Sequence, residues 1–445
     1  MRAPADPEIF ELGRRIHAAL PSAARHPIRA LDAKAMDLAT SDQELRAALF
    51  RFVDVVPACR SVEDVVAHLT SFLDDVPQRP PPLDVAMRMG STRAGRAALG
   101  AAAAAGVRHM AHRFIVGESA QQADATLTAL WRDGVATSVD LLGEATVTPA
   151  EADRYAARCG AALEELTRIY RRLPARPILE RDAAGALPRA NLSVKVSALT
   201  PLLRPDAPER GKRDAAPRLR ELLRTAERLG AHLHIDMESY DSREAVLELV
   251  FELLAEPEFA DGPSAGVVLQ AYLRDAPDTL DAIEAWGRRT PRASPLTVRL
   301  VKGAYWDHEI VEARQHGWSA PVFEEKADSD RAFERLTLRL LSLRPLVRVA
   351  IASHNLRSVA HAIAANRASG ASDDDLELQV LRGLGDDLGH ALARNGFRVR
   401  TYCPVGDLVA GMAYLVRRLL ENTANDSFLA AEHAGAPIEE LLKAP

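Results

Sequence analysis

Tyr414, Arg417, Arg418 and Glu421 recur at offsets of 0, 3, 4 and 7, which puts all four on one face of a 3.6-period helix. Leu415, Leu419 and Leu420 give that helix an apolar flank. Two adjacent guanidiniums are permanently charged forks, each able to bond two oxygens of a carboxylate or phosphate in plane. An Arg-Arg pair alone is an ordinary solvated face. Its meaning depends on which other chemical groups the chain brings nearby.

Those groups sit in and just after apolar, β-branched runs. Glu144 follows VATSVDLL, Lys195 lies in NLSVKVSA, Asp236 and Glu238 in HLHIDMES, and Gln270 in GVVLQAYL. Arg299 and Lys302 lie in TVRLVKGA, Ser353 and His354 follow VRVAIA, Leu381 and Arg382 end LELQVLR, and Tyr402 lies in RVRTYC. A charge inside an apolar strand is costly unless it is paired or functional. Singly, each has a structural explanation: a strand-end ion pair for Lys195 or Lys302, a hydrogen-bond acceptor for Asp236, a helix cap for Glu144, core packing for Tyr402 and Leu381. Taken together, Lys195, Arg417 and Arg418 point to an anionic ligand. His232, His234 and Asp236 alternate along one strand face, a pattern used for metal ligands in hydrolases. Such a site needs further histidines on later strands, and only His354 offers itself. A strand-end lysine can also form a Schiff base with a carbonyl substrate. RGLGDD at 382–387 lacks the spacing and the strand-turn-helix setting of a dinucleotide fingerprint.

Eight apolar runs must position these groups: 135–142, 191–198, 232–237, 266–273, 297–304, 347–353, 376–381 and 398–403. Charged amphipathic segments such as APRLRELLRTAERLG separate them. Strand, helix, strand, repeated eight times, predicts a parallel (β/α)8 barrel, whose chemistry collects at the C-terminal strand ends. RPDAPERGKRDAAP at 204–217 reads as a polar insertion and suggests a barrel with elaborated loops. Before it, 7–75 read as amphipathic helices, with Ser41 and Glu44 spaced as a capping box, and QRPPPLD at 78–84 breaks the pattern. The expected organisation is an N-terminal helical arm over 1–80, the barrel over 81–435 and a tail over 436–445.

Composition narrows the function. A chain of 445 residues with 47% hydrophobic content suits one barrel-sized domain with an extra segment. Its formal charge of −6 excludes the broad basic surface that nucleic acid requires. Three cysteines, Cys59, Cys159 and Cys403, form no CxxC and no even framework, as expected of a cytoplasmic protein. MRAPADPEIFELGRR does not read as a secretory signal. The alanine-rich 97–107 is too short for a membrane span, which leaves only peripheral attachment to a membrane open.

NLSVKVSAL, HLHIDMESY, GVVLQAYL, VRLVKGAYWDHEI, SHN, LQVLRGLGD and YLVRRLLENTANDSF resemble, in this order, the motifs of the flavin-dependent proline dehydrogenases. The likeness covers roughly 30–435 and is strong toward the proline dehydrogenase portion of the bifunctional bacterial proline utilization proteins. It implies a distorted (β/α)8 barrel with noncovalent FAD. The implied reaction is oxidation of L-proline to Δ1-pyrroline-5-carboxylate by hydride transfer to flavin N5, the first step of proline catabolism, with electrons passed to a membrane quinone, ubiquinone or menaquinone. By the same resemblance Arg417, Arg418 and Lys195 hold the proline carboxylate, Tyr402, Tyr414 and Leu381 wall the ring, and Asp236 fixes the Tyr402 hydroxyl. Glu144 is implied as a gate partner of Arg417, and Arg299, Gln270, Val301, Lys302, Trp306, His354 and Glu421 match FAD-contacting positions. The chain departs from the family pattern at Glu324 and Ser353, where threonine is frequent. It ends at Pro445, where bifunctional relatives continue into an aldehyde dehydrogenase, so a single-activity protein and a fragment of a bifunctional one both fit. The DNA-binding segment of some relatives is not seen in its N-terminal stretch.

Overall fold

The computed structural model describes residues 3–21, 43–77, 81–89, 92–143, 146–407, 411 and 436–445. Ser41, Glu144, Tyr414, Arg417, Arg418 and Glu421 lie outside the described residues.

Eight strands close into a parallel barrel: β1 (Val135–Leu141), β2 (Asn191–Lys195), β3 (His232–Asp236), β4 (Ser264–Gln270), β5 (Leu296–Val301), β6 (Val347–Ala352), β7 (Leu376–Leu381) and β8 (Arg398–Val405). Each pairs with the next in sequence, and β8 closes onto β1 through Val135↔Val399 to Leu141↔Val405. The alternation within each run decides what each face meets. Leu192, Val194, Leu233, Ile235, Val267, Leu269, Val298 and Leu300 are buried in the main apolar core, where helices cover the outer face, as parallel sheets require. The opposite residues are polar and bond across the lumen between strands that are not neighbours: Arg299 on β5 reaches Ser138 on β1, and Tyr402 on β8 reaches Asp236 on β3. A barrel of this class is ordinarily filled by branched apolar layers. This one is filled by ion pairs.

The segment 204–217 corrects an expectation. It is not a loop insertion, because the helix Pro208–Leu229 takes up most of it. Pro208 suits a first helical turn, where its missing N–H costs nothing. Lys212, otherwise a buried lysine, is held by Glu209, Glu248 and Glu252 at 2.7, 2.9 and 2.9 Å.

Two further helical layers flank the barrel. Helix Asp6–Ala18 lies on Leu356–Ala368, the helix after β6, with Arg357 bonded to Asp6 at 2.9 Å and to the Leu442 carbonyl at 3.0 Å. Helices Gln43–Val55, Val62–Asp74, Pro81–Met89 and Arg93–Phe114 contribute to a second apolar cluster that includes Phe114, Ile115 and Leu142 and touches Leu384 and Tyr402. QRPPPLD thus leads into a helix opened by Pro81, and the cluster continues across it. That layer reaches the same end of the barrel as the strand-end side chains. Among the described residues no helix is long and apolar enough to cross a membrane.

Candidate active site

Strand register places the C-terminal layer of the lumen. Lys195 lies opposite Asp236, Asp140 opposite Ser193, and Leu381 opposite Tyr402. Lys195 Nζ donates to both Asp140 oxygens at 2.9 Å, to Asp236 Oδ2 at 3.3 Å and to the Tyr402 hydroxyl at 3.4 Å. The Tyr402 hydroxyl donates to Asp236 Oδ2 at 2.7 Å, and Arg299 Nη1 to Asp236 Oδ1 at 2.8 Å. The Arg299 guanidinium lies over the Tyr402 ring, 5.4 Å from its centroid, and its other end reaches the Ser138 and Ser193 hydroxyls, each at 3.3 Å.

The electrostatics follow from this geometry. Burial opposes charge on Lys195, but Asp140 and Asp236 overcome it and raise its pKa above the ordinary lysine value. Burial would raise Asp236, yet Lys195 and Arg299 hold it below the usual carboxylate range. Burial, reinforced by Asp140 and Asp236, pushes the Tyr402 phenol up, so it remains a neutral donor. Burial also raises Glu238, with Lys195 partly offsetting it. Lys195 and Arg299 thus stand against Asp140 and Asp236, and the layer is close to neutral. Surplus positive charge for an anionic ligand has to come from elsewhere, and the Arg417–Arg418 stripe lies outside the described residues.

The other predicted positions surround this cluster. Gln270 Nε2 donates to the Glu238 carbonyl at 2.9 Å. Its Oε1, like Arg299 Nε, is buried with no hydrogen-bond partner among the described residues. The Leu381 backbone N–H donates to His354 Nε2 at 2.9 Å, which ties the ends of β6 and β7 and fixes that ring nitrogen as an acceptor. Val301 ends β5, half-buried. Lys302 is bonded to Asp330, which Lys326 also holds at 2.7 Å; burial is the main cause of its lowered pKa. Trp306 is 38% exposed and donates to the Phe323 carbonyl at 2.8 Å. Glu324 is exposed, 3.9 Å from Arg274. Lys195, Asp236, Arg299 and Tyr402 are therefore in direct contact, whereas Lys302 and Trp306 are bonded to Asp330 and Phe323 on the segment after β5.

Two unpartnered buried atoms, an Arg299 donor and a Gln270 acceptor, are what a heterocycle with both donor and acceptor edges needs. The residues present therefore fit a flavin. They do not assemble a metal site: among the described residues no three His, Cys, Asp or Glu side chains could hold one ion. His232 begins its strand, while His354 follows the end of another, so the two lie toward opposite ends of the barrel.

Sequence reasoning passed over Asp140, Ser138 and Ser193. Asp140 is 1% exposed and is the main counter-ion of Lys195. A carboxylate in the middle of VATSVDLL was the available signal, because an apolar run tolerates one only when it is paired.

The proline dehydrogenase family model matches residues 123–431, and the proline utilization A N-terminal domain model matches 6–114. The bifunctional protein PutA of Salmonella typhimurium is 33% identical over 350 residues, 76% of this chain and 25% of the relative. The proline dehydrogenase of Deinococcus radiodurans is 29% identical over 72% of this chain and 89% of its own length. The crystal structure of proline utilization A from Bdellovibrio bacteriovorus inactivated by N-propargylglycine superposes with a TM-score of 0.90 at 34% identity, covering 99% of this chain and 44% of that one. The chain thus spans about a quarter of the length of the first curated relatives it matches.

Proposed function

Since this chain belongs to the proline dehydrogenase family, we propose that it oxidises L-proline to Δ1-pyrroline-5-carboxylate, with FAD as cofactor, in the first step of proline catabolism. Electrons then pass to ubiquinone or menaquinone at a membrane surface that the protein visits peripherally from the cytoplasm. The product is a substrate for an aldehyde dehydrogenase, as a further domain or a partner.

The observation that carries this reading is the buried Lys195–Asp236–Tyr402–Arg299 cluster beside the open Arg299 and Gln270 atoms. In this reading Arg417, Arg418 and Lys195, the last held in place by Asp140, bind the proline carboxylate. Tyr402, Tyr414 and Leu381 wall the ring, and Asp236 fixes the Tyr402 hydroxyl. Glu144 pairs with Arg417 over bound substrate. Arg299, Gln270, Val301, Lys302, Trp306, His354 and Glu421 would hold the flavin, which supplies a two-electron acceptor for the hydrogen on the carbon next to the ring nitrogen. The protein orients that carbon and excludes water. Selecting the neutral amine of proline removes any need for a strong general base, and the Arg299 charge favours the reduced, anionic form of the cofactor.

Anaerobic addition of L-proline to the FAD-loaded protein tests the reading. Bleaching of the flavin absorbance is expected. Saturable proline binding with the spectrum unchanged would refute it.

A further inference from the structure

The end of the barrel where the strands begin, opposite the proposed proline site, gathers three buried guanidiniums on two carboxylates. Arg348, Arg398 and Arg400, all at least nine-tenths buried, line a cavity of about 20 Å3 together with His232, His234 and Glu377. Two carboxylates serve these three guanidiniums. Glu377 takes Arg400 through a fork at 2.8 and 3.0 Å, and Asp182 takes Arg348 at 2.9 and 3.3 Å. Arg398 shares both at longer range, in ion pairs of 3.8 Å to Asp182 and 3.9 Å to Glu377, and its hydrogen bond among the described residues is a 3.5 Å contact to the Arg181 carbonyl. Arg398 Nε has no hydrogen-bond partner among the described residues, and neither does His234 Nε2. A buried charge matched only at such range is costly. Burial, in keeping with that, holds Arg398 below the ordinary arginine value despite Glu377 and Asp182.

We propose that this cavity binds a monovalent inorganic anion of halide size, with Arg398 Nε and His234 Nε2 as its donors. The volume admits one particle about the size of a water, which excludes phosphate, sulfate and organic carboxylates. The anion adds a third negative charge to the two carboxylates that the three guanidiniums share. It also selects a tautomer chain. His232 Nδ1 lies 2.9 Å from the Ser264 hydroxyl and His232 Nε2 lies 3.2 Å from His234 Nδ1. With Ser264 donating to His232, and His232 to His234, the proton of His234, a residue that lines the cavity, stays on Nε2. The reverse order leaves Nε2 a lone pair, which repels an anion. Leu187 and Pro188, just after the short antiparallel pair of Arg181–Asp182 with Gly185–Ala186, border the cavity, where exchange with solvent would occur.

The test uses the full chain. Crystals soaked in sodium bromide should show an anomalous peak in contact with Arg398 and His234. The thermal midpoint in bromide or chloride should exceed that in gluconate at equal ionic strength by about 1.5 °C at tenfold the dissociation constant. Arg398→Met, if it folds, should lose that difference. A site filled only by water, or a peak that leaves the midpoint equal in halide and gluconate, overturns the proposal.

Discussion

Among single residues, Asp140 most changes how the site is understood. A lysine in a buried layer needs its charge matched, and Asp140 supplies both oxygens at 2.9 Å. Asp140→Asn leaves Asp236 as the one carboxylate hydrogen-bonded to Lys195 among the described residues, and Asp236 already serves Arg299. A loss of about 3 kcal/mol of unfolding free energy is expected for a broken buried pair; an unchanged denaturant midpoint would show that Lys195 does not depend on it. Arg418 belongs to the same scale. Arg418→Met removes a charged fork worth about 2 to 3 kcal/mol to a carboxylate, so the KM for proline should rise roughly 30- to 150-fold while FAD content stays near normal. Comparable losses of both would remove Arg418 from the carboxylate role.

At the scale of elements, the strands present apolar residues outward and ion pairs inward, so the barrel's stability is tied to pH. Glu377 on β7 is fully enclosed; burial alone would raise it, but Arg400 and then Arg398 bring it down from 4.5 to about 2. A depressed folded-state value means that the native state holds the ionised form. Its contribution is therefore present above the unfolded value and is lost as pH falls from 4.5 toward 2. The size is about 3 kcal/mol. Glu377→Gln should sit that far below the parent protein at neutral pH, and the gap should narrow through the same window in acid-titrated denaturant curves. A gap constant with pH contradicts the linkage. His232 on β3 acts in the same direction, because burial lowers it from 6.5 to about 3 and the unfolded chain takes up its proton first.

At the scale of the whole molecule, helix Asp6–Ala18 and the residues near 440 are strapped to the barrel through one helix. Leu442 is fully buried and lies over Gly13, where a Cβ would come within 2.3 Å of its side chain. Arg357 holds Asp6 and the Leu442 carbonyl together. Leu442→Ala opens a cavity under both segments and should cost about 2 to 4 kcal/mol, read as a lower thermal midpoint with faster protease cleavage near both ends of the chain. Cleavage confined to the C-terminal end would mean that the two segments are held independently.

The local pattern of the chain determined the strands and the class of fold. Eight β-branched runs of the right length, separated by amphipathic helices, leave little choice but a parallel barrel, because each run must be buried on its outer face and its connections need helical crossovers. The same pattern marked Lys195, Asp236, Arg299 and Tyr402 as costly or unusual in such runs. Segment 204–217 was misread because its prolines and charges look like a loop until Glu248 and Glu252, on the next helix, arrive to neutralise Lys212. Which charges meet was decided only by closure. Asp140 and Lys195, or Asp236 and Tyr402, lie 55 and 166 residues apart, and no local periodicity encodes a contact across a lumen. Register and curvature set those distances, and with them a nearly neutral layer at the proposed proline site and a loosely paired guanidinium at the barrel's far end.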